Sequence, residues 1–190
     1  MKQKLKHIAT ITSGFSFRGK ITPDIGGTVR VIQLKNVQDN LTIDDACICL
    51  DSKKIKPQYL LSQNEVLFMA KGANNFALVP DLSAQHPTIA SAVFFVISVN
   101  PKMAHPDYVA WQINQTRAQN HFKSLAAGTY QTNINREVLE NTPILLPSLE
   151  KQELIAKIIT LKKKEEILTA GIQEYKTNLI TATIYKSIKK

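Results

Sequence analysis

Along residues 1–147 the apolar positions fall in short runs separated by turn-forming residues, whereas from residue 148 onward they recur at helical spacing almost to the end. The first region opens with a mixed apolar and polar run over residues 5–11, followed by Ser13-Gly14-Phe15-Ser16-Phe17-Arg18-Gly19-Lys20, a loop bracketed by glycines. Strands are predicted over the β-branched stretch 28–34, which ends at Lys35-Asn36-Val37, and over 46–50, 64–70 and 76–79. Lys71-Gly72-Ala73-Asn74-Asn75 is the turn after the third of these. Residues 92–99 are apolar but for Ser98, the pattern of a buried central strand.

Pro106 and Asp107 suit the first turn of a helix. Val109, Ile113 and Phe122 fall on its inner side, Trp111 at its edge, and Gly128 ends the helical region. Residues 129–134 form a loop or short strand, Asn135 caps a single turn through Leu139, and residues 143–147 are extended between two prolines. The expected class is α+β: a curved, mainly antiparallel sheet with short helices over residues 1–147, then one long helix over 148–190.

In that helix Ser148 stands at the cap, and Glu150 and Glu153 suit its positive end. Leu154, Ile158, Leu161, Glu165, Leu168, Ile172, Tyr175, Leu179 and Ala182 alternate spacings of four and three, which is a heptad seam. Ile155, Ile159, Ile180 and Ile184 widen the stripe, and Gly171 is its weak point. Forty residues of helix span roughly 60 Å, too long to be covered by the preceding domain. The expectation is a coiled-coil-type pairing of two copies, with Leu154, Ile158, Leu161, Leu168, Ile172, Tyr175 and Leu179 at the interface. Folding back on the chain's own domain is the alternative.

Charge changes the picture. There are 24 Lys and Arg against 15 Asp and Glu, a net of +9. From Lys151 onward nine Lys face four Glu, so the last 40 residues carry +5 and the first 150 carry +4. Such a balance favours polyanionic partners. The charged start of the chain lacks a following apolar core, and no apolar run approaches about 18 residues. The chain therefore reads as cytoplasmic, with no membrane partner. Cys47 and Cys49 are poorly spaced to bridge each other and too few to hold zinc.

No catalytic or metal motif emerges. His7, His86, His105 and His121 are scattered, Asp44-Asp45 reads as a solvent-exposed turn, and Glu65 with Lys71 falls short of a metal-dependent nuclease centre. Polar amides and cations instead gather at four turns. These are Ser13, Ser16, Arg18 and Lys20; Lys35 and Asn36; Lys71, Asn74 and Asn75; and Gln131, Thr132 and Asn133. Such side chains have the donors and acceptors to read base edges and bind phosphate. The Lys162-Lys163-Lys164 run reads as a solvated helix face, with phosphate or a protein partner as alternatives.

The order of segments resembles the target recognition domain of type I restriction-modification specificity subunits over nearly the whole chain. Its carriers are residues 5–11 with Ser13-Gly14; Val31-Ile32-Gln33-Leu34-Lys35-Asn36-Val37; and residues 60–72, where Asn64-Glu65 stands in place of a frequent Gly-Asp. The most specific are Gly128-Thr129-Tyr130-Gln131-Thr132-Asn133-Ile134 and the run from Ile144 through Pro147 to Glu150-Lys151-Gln152, with Lys151 where a second acid is usual. The resemblance implies a non-catalytic DNA-binding subunit. Its partners are methyltransferase and restriction subunits, and S-adenosylmethionine is bound by the methyltransferase. Family members of full length carry two recognition domains separated by two long helices, each domain reading half of a bipartite target. One domain and one helix imply a half-length form that pairs as a homodimer. A fragment or silent recombination cassette, and a basic coiled-coil adaptor that does not read duplex sequence, are the alternatives.

Overall fold

A computed structural model describes residues 1–44, 46–71, 74–82, 86–125 and 133–188. The element order is β1 (Lys2–Lys4), β2 (Ala9–Ser13), β3 (Val29–Ile32), β4 (Ile48–Leu50), β5 (Glu65–Met69), β6 (Ala77–Leu78), β7 (Thr88–Ala90), β8 (Phe94–Val99), α1 (Pro106–Asn114), α2 (Thr116–Leu125), α3 (Arg136–Glu140), β9 (Pro143–Leu145) and α4 (Leu149–Ile188). The class is α+β, as the sequence pattern predicts. The strands form three sheets, ordered β2-β8-β5-β6, β4-β3-β7 and β1-β9, and only β3 with β7 is parallel among the named pairs.

β8 is apolar except for Ser98 because both of its faces are covered. Ile97 and Val99 join Ile11, Val66 and Phe68 against Val109, Ile113 and Phe122 of the helical layer. Phe94 and Val96 point the other way, into a second cluster with Leu67, Met69, Leu78, Ile32 and Ala90. This is the alternation of a strand sandwiched between two layers. Phe68 and Phe122 meet with ring centroids 5.4 Å apart, tying the sheet to α2.

Three local features depart from the sequence reading. Leu5–His7 is a single 3-10 turn that buries Leu5 between β1 and β2. β1 and β7 were not anticipated: β1 is polar, and β7 is only three residues long. The helix opened by Pro106 breaks at Gln115, whose backbone is extended (φ −73°, ψ 150°). Carbonyls freed there are taken up by side chains, Gln115 Nε2 donating to Trp111 and Gln119 Nε2 to Ile113. The expected end of the helical region at Gly128 lies outside the described residues. Asn135 caps α3, its Oδ1 accepting the Val138 amide at 2.9 Å.

α4 starts where β8 ends. Gln152, which is buried, accepts the His105 amide through Oε1 at 3.1 Å and donates through Nε2 to the carbonyls of Met103 and Pro147. The helix then runs beside α1 and leaves the domain. Only Gln152 and Ala156 of α4 are buried. The seven expected interface residues are all exposed, from 55% at Ile172 to 80% at Tyr175, so the seam does not fold back on its own domain.

Candidate nucleic-acid interface

The chain turns between β7 and β8 at residues 91–93, and four segments converge on this turn. The Gly14 amide donates to the Phe94 carbonyl and the Phe15 amide to that of Ala90, while Ala92 donates back to Phe15. From β3, the Ile32 carbonyl accepts the Ser91 amide at 2.9 Å. From the end of β5, the Ala70 amide donates to the Val93 carbonyl, and the Ala70 carbonyl accepts the Ile134 amide. β2 and β5 both run antiparallel to β8 and therefore end on the same side of the sheet. The topology thus anchors at one place the described segments that flank the turns singled out in the sequence.

Gly14 makes this convergence possible. A Cβ on it would sit 2.6 Å from the Ala90 carbonyl oxygen and closer still to that of Ser91. Beyond Gly14 the loop is pinned by Phe15, whose ring meets Phe17 (centroids 4.8 Å apart) and Tyr59 (5.0 Å) edge-on. The half-buried aromatics leave the intervening polar side chains outside: Ser16, Arg18 and Lys20 are exposed, as are Ser13, Lys35, Lys71, Asn74 and Asn133. Gln131 and Thr132 lie outside the described residues, as does Asp45 of the acidic pair.

Two of the expected readers are corrected. Asn36 is buried; its Oδ1 accepts the Gln33 amide at 3.1 Å and its Nδ2 donates to the Ala46 carbonyl at 3.3 Å. Asn75 is buried too, with Nδ2 donating to the Met69 carbonyl at 2.9 Å. Both amides hold the backbone of their turns and so present Lys35 and Asn74 rather than reading a ligand themselves. Glu65 and Lys71 stand at opposite ends of β5, and Glu65 accepts from the Ser62 amide and the Ser98 hydroxyl. No joint centre forms between them. Among the described residues no group of three or more His, Cys, Asp or Glu could hold a metal ion.

The structure adds cations that the sequence reading passed over. Lys53, Lys54 and Lys56 are exposed on the segment after β4. Lys54 shares with Lys20 the rim of a small cavity of about 180 Å³ beneath Phe15 and Phe17. Lys54 Nζ lies 2.6 Å from Asp24 Oδ1, and this hydrogen bond holds the Asp24 carboxyl below its usual pKa. The run Lys53-Lys54-Ile55-Lys56 was visible in the sequence, but its approach to residues 15–22 is a tertiary contact. Behind the surface, buried Arg30 donates to the Asp44 carbonyl at 3.0 Å. Burial pushes the neighbouring Cys47 thiol up, and it is free, like Cys49.

The fold is an α+β domain, with exposed polar side chains on its turns, carried on a long helix. Residues 1–175 match the type I restriction modification DNA specificity domain, and the chain belongs to that family. Three solved structures share the fold. The type I restriction-modification S subunit from M. genitalium aligns with a TM-score of 0.56 at 14% identity, over 85% of this chain and 38% of that one. The HsdS subunit from Thermoanaerobacter tengcongensis aligns with a TM-score of 0.61 at 14% identity, over 89% and 38%. A chain from a structure on complex assembly and conformational transition of the type I R-M system aligns with a TM-score of 0.61 at 18% identity, over 88% and 43%. The chain thus spans about two fifths of the length of each. No curated protein matches it in sequence. No helix among the described residues is long and apolar enough to cross a membrane.

Proposed function

We propose that this chain is a non-catalytic DNA-specificity module of a type I restriction-modification system, in which residues 1–147 read one half of a bipartite target and residues 148–190 act as spacer and pairing helix. The observation that supports this reading is that the backbone segments next to the exposed Arg18, Lys20, Lys35, Lys71, Asn74 and Asn133 are hydrogen-bonded to one another at the turn of residues 91–93. Arg and Lys supply phosphate contacts that fix the register, and Arg and Asn can pair bidentately with base edges. The partners of this reading are double-stranded DNA and the methyltransferase and restriction subunits. S-adenosylmethionine belongs to the methyltransferase.

A second copy is the proposed occupant of the exposed seam. The stripe of α4 that faces its own domain is Gln152, Ala156, Ile159 and Lys163; the seam Leu154, Ile158, Leu161 lies two residues out of phase. Two residues correspond to about 200° around a helix, so the seam points away from the domain and stays free for a partner. Two identical modules paired antiparallel would read a target with two-fold symmetry and a fixed gap.

Mapping methylated adenines in host DNA with and without the gene tests both parts. Loss of one gapped, two-fold-symmetric motif is the expected result. Loss of an asymmetric motif would keep the reading role and replace the second copy by a different recognition domain. No change in any motif would overturn the DNA-specificity reading and leave a silent cassette or an adaptor.

A further inference from the structure

We propose that Lys163 is a positioning residue that fixes the angle between α4 and the recognition domain, and through it the gap between the two half-sites. The inference rests on the spacer role proposed above. Of the three lysines at 162–164, Lys162 and Lys164 are exposed, and Lys162 pairs loosely with Glu166 at 3.7 Å on the helix surface. Lys163 turns inward and is half-buried. Its Nζ donates to the backbone carbonyl of Leu41 at 3.0 Å, across 122 residues of sequence.

Leu41 is an unusual anchor. Its φ of 58° makes it the sole non-glycine with positive φ among the described residues. Leucine in this region costs about 1–2 kcal/mol. The conformation closes a tight hairpin, in which the Leu41 amide donates to the Gln38 carbonyl, Gln38 to Thr42, and the Thr42 amide to Asn40 Oδ1. The Leu41 side chain packs into the cluster around Phe94. This hairpin continues directly from the turn that presents Lys35, and the Asp44 amide returns to the Asn36 carbonyl at 2.7 Å. Lys163 therefore ties the helix to a segment of the candidate DNA-reading surface.

The geometry is that of a rod held at two points. Gln152 fixes the base of α4 through three hydrogen bonds to the 103–105 and 147 backbone. Eleven residues later, roughly 16 Å along the axis, Lys163 makes the second directional contact. Between them Ala156 and Ile159 pack without directional bonds, and the helix passes over a cleft of about 660 Å³ lined by Trp111, Asn114 and Gln115. With the second point removed, the domain can swing about the first. The six residues of β8 separate the Gln152 anchor from the turn at 91–93 by roughly 20 Å. A swing of about 10° moves that turn some 3.5 Å, roughly one base-pair rise of 3.4 Å. A small loss of angular control would thus blur the gap by a whole base pair. Burial holds the Lys163 pKa below its usual value, with the Asp107 carboxylate opposing the shift, so the ammonium sits there at a cost to stability. Removing it with an isosteric apolar stem should leave the fold intact.

Lys163→Met and Lys163→Arg, in the full chain, test this. Spin labels at Ser52→Cys and Thr169→Cys, in a Cys47→Ser, Cys49→Ser background diluted with unlabelled chain, report the angle as an intramolecular distance. One narrow distance is expected for the parent and the Arg variant, and loss of the single narrow distance for the Met variant. A Met variant as narrow as the parent would overturn the proposal. In the methylation map, without cysteine changes, the Met variant should mark the same half-site sequences at gaps one base pair longer or shorter, with the Arg variant restoring one gap. A single unchanged gap in the Met variant would overturn the spacing role. If deleting the gene alters no motif, the DNA-specificity reading fails instead, and the spin-label distances still decide whether Lys163 sets the angle.

Discussion

Asn36 and Lys35 are neighbours with opposite duties. Asn36 gives both ends of its amide to its own turn, so Asn36→Ala leaves the Gln33 amide and the Ala46 carbonyl without their partner. The expected loss is about 1–3 kcal/mol, read as a lower denaturant midpoint. Lys35→Ala should shift stability by no more than about 0.5 kcal/mol, because the side chain is exposed. Gly14 is the other sensitive position. Gly14→Ala forces a methyl into the Ala90 and Ser91 carbonyls and should cost about 1–3 kcal/mol, in the same denaturation experiment. At Asp24 the folded-state pKa lies below the ordinary 3.8 because of the bond to Lys54. The sign follows: the unfolded chain binds the proton more readily, so this contribution is present above about pH 4 and is lost as the pH falls through the lowered value. Asp24→Asn should flatten that part of the acid-stability profile.

Among the elements, α4 was the most legible in sequence, because forty residues of uninterrupted helical spacing need no tertiary information. Gly171 lies in it with no atom near its missing Cβ. Gly171→Ala should therefore raise helix stability by about 1 kcal/mol, seen as a higher thermal midpoint. Leu161→Glu with Ile172→Glu should convert a paired chain to monomer in sedimentation, while a variant that stayed fully dimeric would sink the seam model. The strands were legible where they were long and apolar, as with β5 and β8. They were missed where pairing rather than composition makes them, as with polar β1, held by β9, and short β7, held parallel to β3. The inward stripe of α4 was equally hidden: Ile159 and Lys163 look like any exposed helix residues until Leu41 and Trp111 are folded against them. The polar turns were found by residue type alone, which cannot separate an exposed reader from a buried amide. Asn36 and Asn75 were misread for that reason, and Lys54 was overlooked because only the fold brings Lys20 and Asp24 to it.

For the whole molecule, a net charge of +9 is compatible with polyanion binding but does not place it. The two ends of the structure offer competing sites: the turns around residues 91–93, and the lysines of the exposed helix. Counterion release separates them. Each phosphate contact contributes about 0.9 to the slope of log affinity against log salt on duplex DNA. If the turns form the interface, Ala substitution of Lys20, Lys35 or Lys71 should each lower the slope by roughly one. Lys164→Ala and Lys176→Ala should leave it unchanged, although they remove the same charge. Equal effects at both ends would mean that the chain's overall charge, and not the assembled turns, attracts DNA. A change confined to the helix lysines would move the interface to α4 and leave the turns without their proposed role. The affinity series, run on one duplex across a range of salt, therefore decides whether the convergence at residues 91–93 is a binding surface or only a way of packing four loops.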